Sequence, residues 1–142
     1  MRSKLNPFLP AGLYYGLIFF LSAQPNVRLP AAFPLIDKAL HLVLYAGFGV
    51  CLAYGTMKTA GLRDRPAVVP VLGAVLACLD EVHQMFVPGR SAEILDVLVD
   101  VLGLAAGWGI ARMIARSRHG RRFFAPDGPG DKAPQPWKRG GP

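Results

Sequence analysis

Four long apolar blocks separated by polar connections constrain this chain more than any other feature. They cover about residues 7–23, 39–57, 67–87 and 94–114. A helix needs about 20 residues, within a range of about 17–25, to cross the hydrocarbon core of a bilayer. The last three blocks meet that length comfortably, and the first is short, with prolines near its start, where helices tolerate them. The pattern predicts an all-α integral membrane bundle of four transmembrane helices.

The composition also favours a membrane protein. Apolar residues make up 52% of the chain and charged residues only 18%, whereas soluble domains carry about 25% charged residues. The 142 residues leave room for one domain, which we place at residues 1–116. Cys51 and Cys78 lie inside apolar runs, where free cysteine behaves as a small hydrophobe, so we expect no disulfide between them.

The first block has an alternative interpretation. Arg2 and Lys4 precede an apolar stretch that ends in Leu-Ser-Ala at residues 21–23, a pattern that resembles a secretory signal peptide with its cleavage site. We favour a retained helix, because Pro25 would closely follow a cut after residue 23 and because the later blocks need a partner helix.

The distribution of lysine and arginine predicts the orientation. Of these 16 residues, 13 lie in the N-terminal arm, the second connection and the C-terminal segment from Arg112 onward. The first and third connections hold the other three, Arg28, Lys38 and Arg90. Because positive residues accumulate on the cytoplasmic side, we expect both termini in the cytoplasm and the first and third connections outside.

The segment 117–142 is basic and rich in proline and glycine, and we expect it to be a disordered cytoplasmic tail because it has little apolar surface to bury. We expect the cluster Arg116, Arg118, Arg121 and Arg122 to lie against anionic lipid head groups, worth about 1 kcal/mol per charge. The predicted partners are therefore membrane lipids and not nucleic acid.

Acidic residues gather at the predicted outer ends of the last three helices. Six of the nine acidic residues are there, namely Asp37, Asp80, Glu81, Glu93, Asp96 and Asp100. His41, Gln84, Lys38 and Arg90 fall at the same depth. Alternating spans would bring these distant stretches to one side of the membrane.

The spacing puts these residues on helix faces. Glu93, Asp96 and Asp100 recur at intervals of three and four residues, which defines one face. Gly103 and Gly107 continue it inward, and small residues at that spacing let helices approach closely in lipid. Two further faces consist of Gly73, Ala77, Asp80 and Gln84, and of Asp37, His41 and Tyr45. Together the three faces predict a polar pocket that opens outward.

Depth adds an energetic argument. Asp100 lies about two helical turns inside the outer end of its helix, roughly 9–12 Å at 1.5 Å per residue. An acidic side chain near a helix centre costs about 2.5–3.5 kcal/mol on insertion, and such residues usually face the bundle interior and mark a functional site. A structural interpretation stays open, in which Lys38 and Arg90 pair with carboxylates and staple the helix ends together. Six acids exceed two or three bases, however, so protons, a metal ion or a cationic ligand must balance the rest.

Several of these stretches resemble the VanZ-like family of small bacterial membrane proteins. They are residues 37–45 (DKALHLVLY), residues 80–91 (DEVHQMFVPGRS), Glu93 with 96–100, Gly103, Gly107, and residues 22–25 (SAQP) at the end of the first block. The resemblance covers about residues 8–114. The family often has asparagine at the position of Asp100. The resemblance implies a multi-pass protein of the bacterial cytoplasmic membrane, and the founding member is associated with resistance to the glycopeptide teicoplanin.

Our leading hypothesis is an outward-facing site that binds or processes a lipid-linked or polar constituent of the cell envelope. The candidate catalytic residues are Asp80, Glu81, Gln84, Arg90, Asp96, Asp100 and His41, and the candidate ligand-binding residues are Lys38, Arg90, Glu93 and Asp37. Arg90 suits a phosphate or carboxylate because its planar fork binds both oxygens. A carboxylate among the acids would act as general base.

Two alternatives belong to other classes. A metal-dependent membrane hydrolase would use Asp80, His41 and Asp96 as ligands for Mg²⁺, Mn²⁺ or Zn²⁺, with Glu81 as a further candidate ligand. A non-catalytic scaffold or accessory protein would use the same cluster as a structural staple. The sequence leaves the ligand, the cofactor, any catalysis and the oligomeric state open.

Overall fold

A computed structural model describes residues 6–25, 35–63, 65–90 and 93–125 of the chain. The helices are α1 (Leu9–Ser22), α2 (Ile36–Lys58), α3 (Ala60–Arg63), α4 (Val68–Gln84), α5 (Ile94–Arg116) and α6 (Arg118–Phe123). No strand occurs in the described ranges. The predicted all-α class is therefore confirmed.

The two longest helices form the centre of the fold. Helices α2 and α5 each contain 23 residues and share the most extensive helix contact. At about 1.5 Å per residue each is about 34 Å long, which exceeds the hydrocarbon core of about 30 Å. Both are long and apolar enough to cross a membrane. Helices α1 and α4 have 14 and 17 residues, so four spans and the N-in, C-in orientation stay predictions.

Small residues bring the backbones of α2 and α5 close together. A Cβ atom added at Gly103 would collide with the carbonyl oxygen of Leu42, and one added at Gly107 would collide with the carbonyl oxygen of Ala46. Both glycines are buried. The predicted close-packing face of α5 is thus confirmed, and α2 is the helix that it contacts.

Apolar side chains divide between a small core and the outer surface. The core includes Ile18, Tyr45, Phe48, Leu52, Val69 and Leu104. Large apolar side chains on the outward faces of the four long helices are exposed, among them Leu13, Phe20, Val43, Val71 and Leu102. Soluble monomers rarely expose apolar patches of this extent. This surface is the one expected of helices in contact with lipid.

The segment that the sequence predicts to be a disordered tail begins with ordered structure. Helix α6 starts after Ser117, whose Oγ accepts a hydrogen bond from the backbone N–H of Gly120 at 3.0 Å. Phe124 is buried against Ala53 and Ala111. Ordered structure therefore continues past the predicted boundary at residue 117, because an aromatic side chain there has a place in the bundle. Residues 126–142 lie outside the described residues, and their disorder stays a prediction.

Candidate functional site

Four helix ends meet at one end of the bundle, where α1 and α4 finish and α2 and α5 begin. We call this region the acidic end and define it by residues 22, 37–45, 80–90 and 93–100. Hydrogen bonds and ion pairs between its side chains link all four helices. The structure therefore brings together the distant polar stretches, as the sequence predicted.

Asp80 connects three helices. Its Oδ2 accepts a hydrogen bond from the Ser22 hydroxyl at 2.8 Å, and longer ones from the Tyr45 hydroxyl and the Gln84 amide, both at 3.4 Å. The Asp80 side chain is fully buried. Because a buried carboxylate is costly without partners, these donors from α1, α2 and α4 are what makes its position tolerable.

His41 and Asp100 form a buried pair between α2 and α5. The Nδ1 atom of His41 lies 2.9 Å from Oδ1 of Asp100. Asp100 is fully buried and His41 is 7% exposed. The second carboxylate oxygen of Asp100, Oδ2, is buried with no hydrogen-bond partner among the described residues. The pair therefore leaves half of the carboxylate unsatisfied.

Lys38 is held by two carboxylates of the chain itself. Its Nζ donates to Oε2 of Glu93 at 2.9 Å and to Oδ1 of Asp96 at 2.6 Å. Asp96 is buried, whereas the Glu93 side chain is 51% exposed. Lys38 therefore holds helix ends together, as the structural interpretation of the sequence proposed for it. Arg90 makes no such ion pair within the described ranges.

Glu81 fixes the start of α5. Its Oε2 accepts a hydrogen bond from the backbone N–H of Glu93 at 3.1 Å. The other oxygen, Oε1, is buried without a partner in the described part of the chain, as are Oδ1 of Asp80 and Nε of Arg90. Native proteins leave few buried polar atoms unpaired. Unpaired atoms from α4, from α5 and from the turn after α4 indicate a polar centre that its own side chains do not complete.

A cavity of about 300 Å³ adjoins this centre and is lined mainly by α1 and α2. Its polar lining is Ser22, Gln24, Asp37, His41, Tyr45, Asp80 and Arg90. Its apolar lining is Ile18, Leu21, Leu40 and Leu44. Of the predicted site residues, Asp37, His41, Asp80 and Arg90 line the cavity, whereas Lys38, Glu81, Gln84, Glu93, Asp96 and Asp100 are not among its lining residues.

The structure adds to the site the last residue of α1 and a residue that closely follows this helix. Ser22 donates the shortest hydrogen bond to Asp80, and Gln24 lines the cavity. Both lie in the SAQP stretch that resembles the family, so a signal was present in the sequence. Tyr45, which the sequence analysis placed only on a helix face, bonds to Asp80 through its hydroxyl.

Two groups of side chains are close enough to share a metal ion. One is Asp37, His41 and Asp96, and the other is His41, Glu81 and Asp100; within each group the possible ligand atoms lie within 4.8 Å of one another. His41 belongs to both groups. Asp80, predicted as a metal ligand together with His41 and Asp96, belongs to neither, because its carboxylate is turned toward Ser22 and Tyr45.

The opposite end of the bundle carries the other polar region. We call it the basic end, where α2 and α5 finish and α4 begins. A cavity of about 280 Å³ there is lined by five arginines, namely Arg63, Arg65, Arg112, Arg116 and Arg121, together with Trp108 and Phe124. No acidic residue lines this cavity within the described ranges.

The described residues form helices, two of which are long and apolar enough to cross a membrane, and this arrangement is typical of helical membrane proteins. A family model described as VanZ/LLP1 matches residues 4–115. The protein is therefore a member of the VanZ/LLP1 family, as its motifs predicted. Of those motif residues, Ser91 lies outside the described residues. Searches of curated proteins and of solved structures found no match.

Proposed function

We propose that this protein spans the bacterial cytoplasmic membrane four times, with both termini in the cytoplasm, and binds a lipid-linked or polar envelope constituent at its outward-facing acidic end. The observation that carries the proposal is the cavity beside Asp80, whose lining combines apolar and polar side chains. Ligand sites are typically concave and mostly apolar, with a few convergent polar groups that fix orientation.

The outer surfaces of α1 and α4 support the four-span topology. Leu13 on α1 and Val71 on α4 are more than half exposed, as are apolar residues of the two longer helices. A short helix is accommodated in a bilayer by local thinning, at a modest cost. The excess of lysine and arginine in the N-terminal arm, the second connection and the C-terminal segment supports placing the basic end in the cytoplasm.

The lining of the cavity fits an amphipathic ligand. Leu21, Leu40 and Leu44 form an apolar wall suited to an acyl or prenyl chain. His41 and Asp80 also line the cavity, and they offer acceptors to hydroxyl or amine donors of a head group. An amphipathic molecule whose chain stays near the lipid and whose polar part enters the bundle satisfies both surfaces.

Arg90 is the residue that we propose contacts an anionic group of the ligand. It lines the cavity, is half-buried, and has no hydrogen-bond partner for its Nε atom among the described residues. A guanidinium binds phosphate or carboxylate through two parallel hydrogen bonds. Lys38, the other candidate cation, already contacts Glu93 and Asp96. We therefore assign Lys38 to holding the pocket together and Arg90 to the ligand.

The basic end is proposed to bind anionic lipid head groups of the inner leaflet. Its cavity is lined by five arginines and, within the described ranges, by no acidic residue, and Arg112 stacks over the Trp108 ring at 5.1 Å. Basic pockets between membrane helices on the cytoplasmic side favour anionic head groups. This contact would anchor and orient the bundle, while the ligand site lies at the other end.

The test is mass spectrometry of the lipids that remain with the protein after extraction into polymer-bounded native nanodiscs. We expect wild type to enrich a phosphate- or carboxylate-bearing species relative to the bulk membrane. Arg90→Gln should reduce that enrichment about tenfold, because a charge-assisted hydrogen bond contributes about 1.5–3 kcal/mol and each 1.4 kcal/mol is about tenfold in affinity.

The comparison variant is Arg122→Gln, which removes the same charge from an exposed position on α6. It should lower only the lipid association of the basic end, and the species that Arg90→Gln loses should stay enriched in it. Identical bound lipids in wild type and Arg90→Gln would contradict the proposal. Because the family resemblance connects such proteins with teicoplanin, the cellular measurement is the change in teicoplanin susceptibility on expression of wild type and of Arg90→Gln.

A further inference from the structure

We infer that His41, Glu81 and Asp100 form a binding site for a divalent transition-metal cation, either Zn²⁺ or Mn²⁺. The three residues come from α2, α4 and α5 respectively. Their possible ligand atoms lie within 4.8 Å of one another, and all three side chains are buried. Three helices therefore present one imidazole and two carboxylates to a single point inside the bundle.

The unpaired oxygen atoms of this group are the second observation. Oε1 of Glu81 and Oδ2 of Asp100 are buried with no hydrogen-bond partner in the described ranges, while Glu81 is 4% exposed and Asp100 is 0% exposed. The other oxygen of each carboxylate is already used, by the Glu93 backbone and by His41. Each of the two carboxylates thus keeps one oxygen free, which is the arrangement that a metal ligand requires.

Charge balance favours a cation at this position. Two buried carboxylates carry two negative charges when ionised, and burying them unpaired is expensive. Lys38 contacts Glu93 and Asp96 and forms no ion pair with Glu81 or Asp100 within the described part of the chain. A divalent ion neutralises both carboxylates at once, and His41 adds a neutral nitrogen ligand.

The competing group of Asp37, His41 and Asp96 is less suited to a metal. Asp96 already accepts a hydrogen bond from the Lys38 ammonium, so a positive charge occupies its neighbourhood. Asp37 is only half-buried, and water can satisfy its carboxylate. Neither restriction applies to Glu81 or Asp100, which are the residues left with unpaired oxygens.

The donor set indicates which ions fit. Imidazole suits Zn²⁺ and other transition metals, and carboxylate suits Mn²⁺ as well. Metal-ligating side chains are usually oriented by hydrogen bonds from their neighbours, and here the backbone N–H of Glu93 orients Glu81. Three protein ligands leave a further coordination position. His41 also lines the cavity, so the ion would lie beside the proposed ligand site.

The experiment is equilibrium dialysis of the untagged full-length protein in detergent against Zn²⁺ or Mn²⁺, after treatment with EDTA, with metal measured by plasma mass spectrometry. We expect about one equivalent per chain for wild type, and at least about a tenfold loss of affinity for Glu81→Gln and for Asp100→Asn. Asp37→Asn makes the same chemical change beside His41 in the competing group, and its affinity should fall by much less than that of Glu81→Gln or Asp100→Asn.

A second measurement tests the imidazole ligand directly. Mn²⁺ bound to wild type should show pulsed electron paramagnetic resonance couplings to the imidazole nitrogen. These couplings should disappear in His41→Gln, provided that this variant remains monodisperse and melts cooperatively. Absence of both metals from wild type, absence of nitrogen coupling from bound Mn²⁺, or retention of full affinity by Glu81→Gln would each overturn the assignment. Loss of affinity in Asp37→Asn alone would move the site to the competing group. Lipid enrichment is measured separately, so failure here leaves the Arg90 proposal standing.

Discussion

The two ends of the bundle carry charge in opposite ways. At the acidic end, Asp80 and Asp100 are fully buried and bonded to side chains of neighbouring helices. At the basic end, Arg116 and Arg121 are exposed, and the only hydrogen bond that the structure gives for the Arg121 side chain is to the backbone of Arg116. The charged side chains of the acidic end therefore connect helices, whereas those of the basic end lie at the surface.

This difference separates two physical roles. An ionisable group buried among membrane helices must be satisfied by the bundle itself and is therefore coupled to the fold. A basic residue at the surface is satisfied by water and lipid head groups and contributes mainly to association with the membrane. Substitutions at the acidic end should therefore change stability, and substitutions at the basic end should change lipid association.

The largest effect is expected for Asp80→Ala. It leaves the hydroxyls of Ser22 and Tyr45 and the amide of Gln84 without their common acceptor. We expect the free energy of unfolding to fall by about 3 kcal/mol, the upper end of the range of about 1–3 kcal/mol for buried groups left unpaired. Unfolding in detergent, followed by circular dichroism during titration with sodium dodecyl sulfate, measures the change.

Asp80→Asn provides the comparison within the same site. It keeps one carbonyl oxygen where the Ser22 hydroxyl donates, and it should lose less than half as much stability as Asp80→Ala. Equal stability of Asp80→Ala and wild type would show that the acidic end is not held together by this carboxylate. The contrast between the two ends would then fail.

The next effect concerns the packing of α2 on α5, on which both ends depend. Gly107→Ala places a methyl group against the carbonyl oxygen of Ala46, and we expect a loss of about 2 kcal/mol, within the range of about 1–3 kcal/mol for overpacking. Gly109→Ala, on the same helix, meets nothing within 4 Å, so it should be neutral or stabilising by about 0.5–1 kcal/mol. Thermal melting of the two variants side by side measures the difference, and equal losses would contradict the close approach of the helices.

A smaller effect should distinguish the two carboxylates that share Lys38. Asp96→Asn removes the buried partner, and we expect a loss of about 1.5 kcal/mol, as for a hydrogen bond to a charged group. Glu93→Gln removes the half-exposed partner, and exposed pairs contribute about 0–1 kcal/mol. Melting temperatures at low and high salt test this prediction. A larger loss for Glu93→Gln than for Asp96→Asn would show that burial does not control the strength of these pairs.

Much of this architecture could be predicted from residue spacing. The interval of three to four residues that relates Asp96, Asp100, Gly103 and Gly107 puts them on one face, and all four are buried. Apolar length was sufficient to predict that α2 and α5 are helices long and apolar enough to cross a membrane. Length was not sufficient to make the same prediction for α1 and α4, because in both cases the helix is shorter than the apolar block that contains it.

Pairing between helices could not be predicted in the same way. Spacing places Lys38 and Glu81 near other charged residues but does not say which atoms meet. In the structure, Lys38 donates hydrogen bonds to Glu93 and Asp96, and Glu81 accepts one from a backbone N–H. Ser22 was missed as a partner of Asp80 because the rotation of α1 about its axis depends on packing, which a single periodic pattern does not determine.

The smallest effect on stability is expected at the basic end. Arg116→Gln removes one of the five arginines that line the cavity there, and the free energy of unfolding should change by less than about 0.5 kcal/mol, as for surface substitutions in general. Association with phosphatidylglycerol in nanodiscs should fall about fivefold, because one basic charge near the surface contributes about 1 kcal/mol. Native mass spectrometry of lipid adducts measures the loss. Arg118→Gln, an exposed arginine of α6 that does not line the cavity, should lose less. A large loss of stability in Arg116→Gln with unchanged lipid adducts would mean that the basic end, like the acidic end, holds the helices together.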